Sequence, residues 1–259
     1  MARASSTGAA DPAAALGSPQ FVVLLFLGIF SPAFVALALT ARVEGRAGVV
    51  ALLRRLVRWE VPGRWYALAI GYTIAVKLVT ALVYRIASGS WPTIQLATLP
   101  LMLGATLLSL MLFGQSGEEL GWRGYALPRL GAGMGLGWGS ILLGALWAAW
   151  HLPLFYLPGT DTYGQSFPLY LTQVTGISVA IAWLWARAQG SLLLTMLMHS
   201  AVNNTKDVVP ALARPAANPF APGAPLLGWI GAGVIWAAAA YFLVTMPKNV
   251  SWEARVSSS

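Results

Sequence analysis

The sequence predicts an all-α protein, a polytopic bundle of transmembrane helices, and three observations support this. Of the 259 residues, 58% are hydrophobic and only 9% are charged, whereas soluble domains carry about a quarter charged residues. The apolar residues fall into runs of about 20, the length that crosses a bilayer core. Twelve Trp residues suit a chain with many membrane interfaces, where amphipathic rings settle.

The apolar runs predict about seven membrane spans, within a range of six to eight. They lie at about 20–41, 65–86, 97–118, 137–157, 168–187, 191–209 and 225–246. The sixth is the weakest because polar residues crowd its end. Residues 1–19 are predicted to be a disordered tail, residues 20–246 a single transmembrane domain, and residues 247–259 a cytoplasmic tail.

The net charge of +8 would suggest nucleic acid as a partner of a soluble protein, but the positive-inside rule accounts for it here. The loop 42–64 contains six Arg residues and is predicted to be cytoplasmic, as is the C-terminus. Residues 49–60 are predicted to form a basic amphipathic helix on that face. The expected partner is therefore the lipid bilayer and not nucleic acid. The absence of Cys excludes disulfides and thiolate metal sites.

The segment EELGWR places two carboxylates and a guanidinium beside an apolar run. On a helix, Glu119 and Arg123 are four residues apart and can pair, while Glu118 is turned away by about 100°. One carboxylate would then be neutralised and the other left for chemistry. The alternative is a helix end at the headgroup level with solvated charges.

The two His residues of the chain both fall within apolar spans. His151 follows Trp147 by one turn, and His199 precedes Asn203 by one turn, so each pair shares a helix face. Alone, such residues are more often hydrogen-bonding contacts between helices. Because the Glu pair and both His residues come from three separate spans, they predict one polar pocket in a bundle. His151 lies about 14 residues, roughly 21 Å, up its predicted span, which poses a problem if Glu118 lies near the inner surface.

Taken together, these motifs resemble the CPBP family of CAAX proteases and bacteriocin-processing enzymes, which includes the type II CAAX prenyl endopeptidases. EELGWR fits the EExxxR signature, and His199 with Asn203 fits HxxxN. His151 resembles the second motif, FxxxH, with Trp147 in place of Phe. The resemblance covers about residues 97–206 and implies an all-helical intramembrane protease fold.

The resemblance also implies roles for these residues. Glu118 and His151 would activate a water, and His199 and Asn203 would stabilise an oxyanion, while Glu119, Arg123 and Trp147 would support the site. The implied substrate is a membrane-associated peptide or protein. A metal-free site is expected because the chain has no HExxH motif. The alternative is zinc held by Glu118, His151 and His199.

Two other functional classes remain open at this point. One is a non-catalytic scaffold or immunity protein of the same fold, and the other is a proton-coupled transporter with a buried Glu–His pair. A transporter is disfavoured because inverted repeats and broken helices are lacking. The Ala- and Arg-rich composition is typical of a bacterial cytoplasmic membrane protein from a high-GC genome. The substrate, its cleavage site and the oligomeric state are not predicted.

Overall fold

The computed structural model describes residues 19–94, 99–111, 115–205, 218–220 and 225–247. Residues 1–18 of the predicted N-terminal tail and residues 248–259 of the predicted C-terminal tail lie outside this part. Within it the chain is helical and contains no strand, which confirms the all-α class. The α-helices, in chain order, are α1 Pro19–Arg54, α2 Gly63–Ser88, α3 Leu99–Met111, α4 Ser116–Glu119, α5 Leu127–Met134, α6 Leu136–Trp150, α7 Phe167–Arg187, α8 Leu192–Asn204 and α9 Leu226–Val244.

Short helical segments of other types join some of these helices. Leu120–Ala126 is π-helical and connects α4 to α5 without a break. Arg55–Val57 and Leu152–Tyr156 are 3₁₀ turns that extend α1 and α6. Helix α1 bends at Gly45, whose φ of 67° lies in the left-handed region that only glycine adopts readily. The bend separates the predicted first span from the predicted surface helix.

Five of the described helical segments are long and apolar enough to cross a membrane, which confirms a polytopic helical bundle. They are Pro19–Val57, Gly63–Ser88, Leu136–Tyr156, Phe167–Arg187 and Leu226–Val244. Within the described residues, the third and sixth predicted spans contain α3 and α8, which have 13 residues each, and residues 97–98, 112–114 and 206–209 of these spans lie outside that part. At 1.5 Å per residue such a helix is about 20 Å long, shorter than the ~30 Å hydrocarbon core. In the part of the chain that is described, five helices rather than seven therefore meet the length requirement.

The reason α8 can be short is that protein surrounds it. All residues of its stretch 192–201 except Leu193 are buried, and the Ser191 side chain caps its start by accepting from the Leu194 N–H. Helix α7 is equally internal, with residues 178–185 all buried. A helix enclosed by other helices does not have to match the bilayer thickness, and its polar residues can hydrogen-bond within the protein.

Candidate active site

A helical hairpin brings the Glu pair and His151 to the same end of the bundle. Helical structure runs on past Glu118 to Met134, turns at Gly135 (φ 81°), and returns as α6. Glu118 lies 17 positions before Gly135 and His151 lies 16 positions after it. Because the two arms are antiparallel, these residues lie level with each other. The predicted spans imply different depths for Glu118 and His151. This difference is absent because helical structure runs on past Glu118 and does not end there.

Glu119, Arg123 and His199 form a buried ionic cluster. Nη1 of Arg123 lies 2.8 Å from Oε1 of Glu119, and Nδ1 of His199 lies 2.9 Å from the same oxygen. Glu119 and Arg123 are completely buried, and His199 is 2% exposed. Burying a charge is costly unless it is paired and hydrogen-bonded. The pairing expected from the four-residue spacing is thus present, and His199 joins it from α8.

Glu118 points the other way and binds Trp147. The indole Nε1 donates to Oε2 of Glu118 at 2.5 Å, and Glu118 is 9% exposed. One turn later, Nδ1 of His151 lies 2.8 Å from the Trp147 carbonyl oxygen. Since a carbonyl only accepts, Nδ1 carries the proton and Nε2 has its lone pair available. Glu118 also interacts electrostatically with His151.

The Trp147 ring links the two halves of the site. The Arg123 guanidinium lies over this ring, 4.2 Å from its centroid. The His199 ring packs edge-on against it, with centroids 5.0 Å apart. The side chain of Trp147 therefore contacts the carboxylate of Glu118, the guanidinium of Arg123 and the imidazole of His199. Trp147 thus binds Glu118 directly and packs against both partners of Glu119, Arg123 and His199.

The helix that carries both carboxylates is stabilised by Arg55, which belongs to none of the sequence motifs. In the π-helical segment the Leu127 N–H bonds the carbonyl five residues back, an arrangement that is rare and frequent at functional sites. Arg55 donates to the carbonyls of Gly124 at 3.1 Å and Gly190 at 3.0 Å, and more weakly to that of Arg123 at 3.5 Å. The guanidinium thus joins the end of α1 to the π-helical segment and to the α7–α8 turn.

Other residues absent from the predicted set also border the site. Oε1 of Gln115 accepts from the hydroxyls of Ser200 and Ser109, the latter at 3.0 Å. The ring centroids of Tyr170 and His151 are 5.6 Å apart. The sequence offered one signal for Gln115, which is its position only three residues before Glu118. Tyr170 gave none, because aromatic residues are common throughout the chain.

Asn203 lies apart from the buried set. It is one turn beyond His199 on α8 and is exposed, whereas His199 is buried. The next residue, Asn204, donates back to the Ser200 carbonyl at 2.9 Å. The structure thus brings together Glu118, Glu119, Arg123, Trp147, His151 and His199, and places Asn203 at the edge of this group.

The alternative zinc site was assigned to Glu118, His151 and His199. Among the residues that the structure describes, no three His, Asp or Glu side chains are grouped to hold one metal ion. The Nδ1 atoms of both His residues are directed to protein oxygens, the Trp147 carbonyl and the Glu119 carboxylate. Such bonds leave Nε2 of each ring as the atom that would bind a metal, so the zinc set stays an expectation from the sequence.

Comparison with known proteins agrees with the motifs. Residues 100–205 match the profile of the Rce1-like type II CAAX prenyl endopeptidases. A protein of Methanococcus maripaludis named CAAX prenyl protease 2 is 28% identical over 109 residues, which is 40% of each chain. The chain thus matches less than half the length of this curated relative. The matched residues 100–205 contain the whole buried cluster.

Proposed function

We propose that the protein is an intramembrane endopeptidase that hydrolyses a peptide bond of a membrane-associated substrate, with Glu118 and His151 activating the water. One observation carries this proposal: Trp147 holds Glu118 through its indole N–H and His151 through its carbonyl. The two groups are thereby fixed beside each other in an apolar bundle. Ionisable groups at membrane depth are costly and usually serve a function.

The hydrogen bonds leave suitable atoms for the chemistry. Glu118 uses Oε2 for Trp147, and its Oε1 can accept from a water. His151 uses Nδ1 for the backbone, and Nε2 can accept from the same water. As the water oxygen attacks the peptide carbonyl carbon, its proton passes to Glu118. The same proton then goes to the leaving amine nitrogen as the C–N bond breaks, which regenerates the carboxylate.

His199 and Asn203 are proposed to stabilise the oxyanion. Nδ1 of His199 donates to Glu119, so the ring must carry a second proton, at Nε2, to donate to an oxyanion as well. Asn203, at the exposed edge, would contribute its amide N–H₂ once a substrate is bound, because catalytic hydrogen bonds often tighten only in the complex.

Glu119 and Arg123 are proposed to act as positioning residues. Their ion pair, 2.8 Å long and fully buried, fixes the helix turn on which Glu118 lies and the Nδ1 side of His199. Trp147 has the same supporting role from α6. The proposed mechanism uses no metal, because the side chains present can supply the base and the oxyanion donors themselves.

Two observations indicate the class of substrate, namely the membrane environment of the site and the name of the relative. The bilayer around the helices favours a peptide or protein held at the membrane. The relative's name implies a prenylated C-terminal peptide, and such a peptide is the first substrate to test here. We place the protein in a bacterial cytoplasmic membrane with its C-terminus on the cytoplasmic side, as the loop charges indicate.

The test is proteolysis by the purified protein in nanodiscs, with a prenylated peptide and a peptide library. We expect cleavage by the wild type, and at least a hundredfold loss in Glu118→Gln and His151→Ala, since general bases contribute about 10²–10⁴-fold. Cleavage should persist with a strong chelator. Loss of cleavage with chelator and its recovery with zinc would contradict the metal-free mechanism. Absence of cleavage by the wild type in every substrate would favour the scaffold class.

A further inference from the structure

A cavity lined by arginine residues lies beside the site, at the bend of α1. It is an open cavity with a volume of about 1450 Å³, bordered by the second half of α1 on one side and by the π-helical segment and α5 on the other. Its lining includes five Arg residues, Arg46, Arg54, Arg55, Arg58 and Arg129, against two Glu residues, Glu44 and Glu60. None of the six clustered site residues lines it. The cavity is therefore a separate, cationic feature.

Internal contacts account for only some of these charges. Arg129 pairs with Glu44 at 2.7 Å, and Arg55 binds backbone carbonyls. Arg46 and Arg54 are exposed and have no hydrogen bond or ion pair to any residue that the structure describes. Two guanidiniums that have no partner among the described residues and lie on the wall of one cavity suit an anion, and a phosphate matches the planar donor fork of Arg.

The surroundings of the cavity indicate where that phosphate comes from. Val50, Val57 and Trp59 also line it and are exposed to 39%, 57% and 68%. A basic helix with exposed apolar residues lies in the headgroup region of a bilayer, and Trp settles at that level. The cavity exceeds the roughly 300–1,000 Å³ of sites for small ligands, so it can admit a headgroup with the upper parts of its chains.

We propose that this cavity binds the phosphate headgroup of an anionic phospholipid, with Arg46 and Arg54 as its principal contacts. The bound lipid would lie against α1 on one side and against Gly124 and Pro128 on the other. It would thus join the surface helix to the helix that carries Glu118 and Glu119. The proposal concerns lipid binding alone and does not depend on the proteolytic activity.

The test is native mass spectrometry of the detergent-purified protein titrated with phosphatidylglycerol or phosphatidylcholine. We expect phosphatidylglycerol to bind more tightly to the wild type. The double variant Arg46→Gln/Arg54→Gln should bind it about 25-fold more weakly, since each arginine near an anionic surface contributes about fivefold. The matched control is Arg42→Gln/Arg64→Gln, which removes two exposed arginines outside the cavity lining. It should change binding by less than about threefold.

Several results would overturn the proposal. Equal binding of the two lipids would show that the phosphate charge is not selected. An equal loss in the control variant would mean diffuse attraction and no defined site. Displacement of the lipid by inorganic phosphate alone would indicate a site for a soluble anion. If the Arg46→Gln/Arg54→Gln variant unfolds at a lower temperature than the wild type, the variant Arg46→Lys/Arg54→Lys provides the second measurement. It should keep the charge-dependent binding, and a complete loss would contradict the proposal.

Discussion

Glu118→Gln and Glu119→Gln are the same chemical change at adjacent positions, yet we expect very different effects on stability. Oε1 of Glu119 accepts from both Arg123 and His199 in a fully buried cluster. An amide at this position leaves the Arg123 guanidinium buried without a counter-charge. Removing one partner of a buried ion pair costs about 3–5 kcal/mol, which corresponds to a fall in Tm of roughly 6–20 °C for a chain of this size.

Glu118→Gln should cost much less. The amide oxygen of Gln can still accept the indole N–H of Trp147, and no cation depends on Glu118 for its pairing. The change replaces a charge-assisted hydrogen bond by a neutral one, a difference of about 1 kcal/mol, or roughly 2–4 °C in Tm. The expected outcome is a variant that is folded and inactive, whereas Glu119→Gln is unstable.

The assay is thermal unfolding in detergent, followed by the intrinsic Trp fluorescence. The control is Arg123→Met, alone and combined with Glu119→Gln. Because the two residues form one pair, the combined variant should lose clearly less stability than the sum of the two single variants. Equal Tm values for the two Glu→Gln variants, or additive losses in the combined variant, would refute the reasoning.

Three further predictions follow from single contacts. Trp147→Phe should keep the fold but lower the free energy of unfolding by about 1.5–3 kcal/mol, because Glu118 loses the indole N–H, as measured by chemical denaturation. Arg55→Ala should increase the rate of amide hydrogen exchange in the π-helical segment, because Arg55 donates to carbonyls of that segment. Arg55→Lys should increase this rate less, and mass spectrometry can measure both rates. Gly121→Ala should destabilise the protein by about 1–3 kcal/mol because the added Cβ would lie 2.3–2.6 Å from atoms of Pro32 in α1. Gly133→Ala, whose Cβ meets nothing within 4 Å, should be neutral or stabilising.

The sequence predicts the fold class and the membership of the site because both depend on local patterns. Helical spacing alone predicts that Glu119 pairs with Arg123 and that Glu118 points elsewhere. Hydropathy predicts the helices, and in the described part of the chain five of them are long and apolar enough to cross the bilayer. Apolar runs look alike whether lipid or other helices surround them, and α8 is apolar because it is buried in protein.

The contacts between distant helices could not be predicted from the sequence. His199 was predicted to face an oxyanion together with Asn203, and its bond to Glu119 joins residues 80 positions apart. Arg55, 69 positions from Gly124, looks like one charge among many in a basic loop. Such partners depend on how the helices pack, and a single sequence gives no direct signal of packing.

The antiparallel hairpin explains why two adjacent glutamates can have separate tasks. Glu118 begins the first arm and faces α6, where Trp147 and His151 lie at the same level. Glu119, turned by about 100°, faces α8 and its His199. One pair of neighbouring residues therefore reaches two different helices. Exchanging their positions would require turning the helix. In the proposed mechanism Glu119 therefore cannot take the place of Glu118 as the base, and we expect Glu118→Gln to be inactive even though a second carboxylate is next to it.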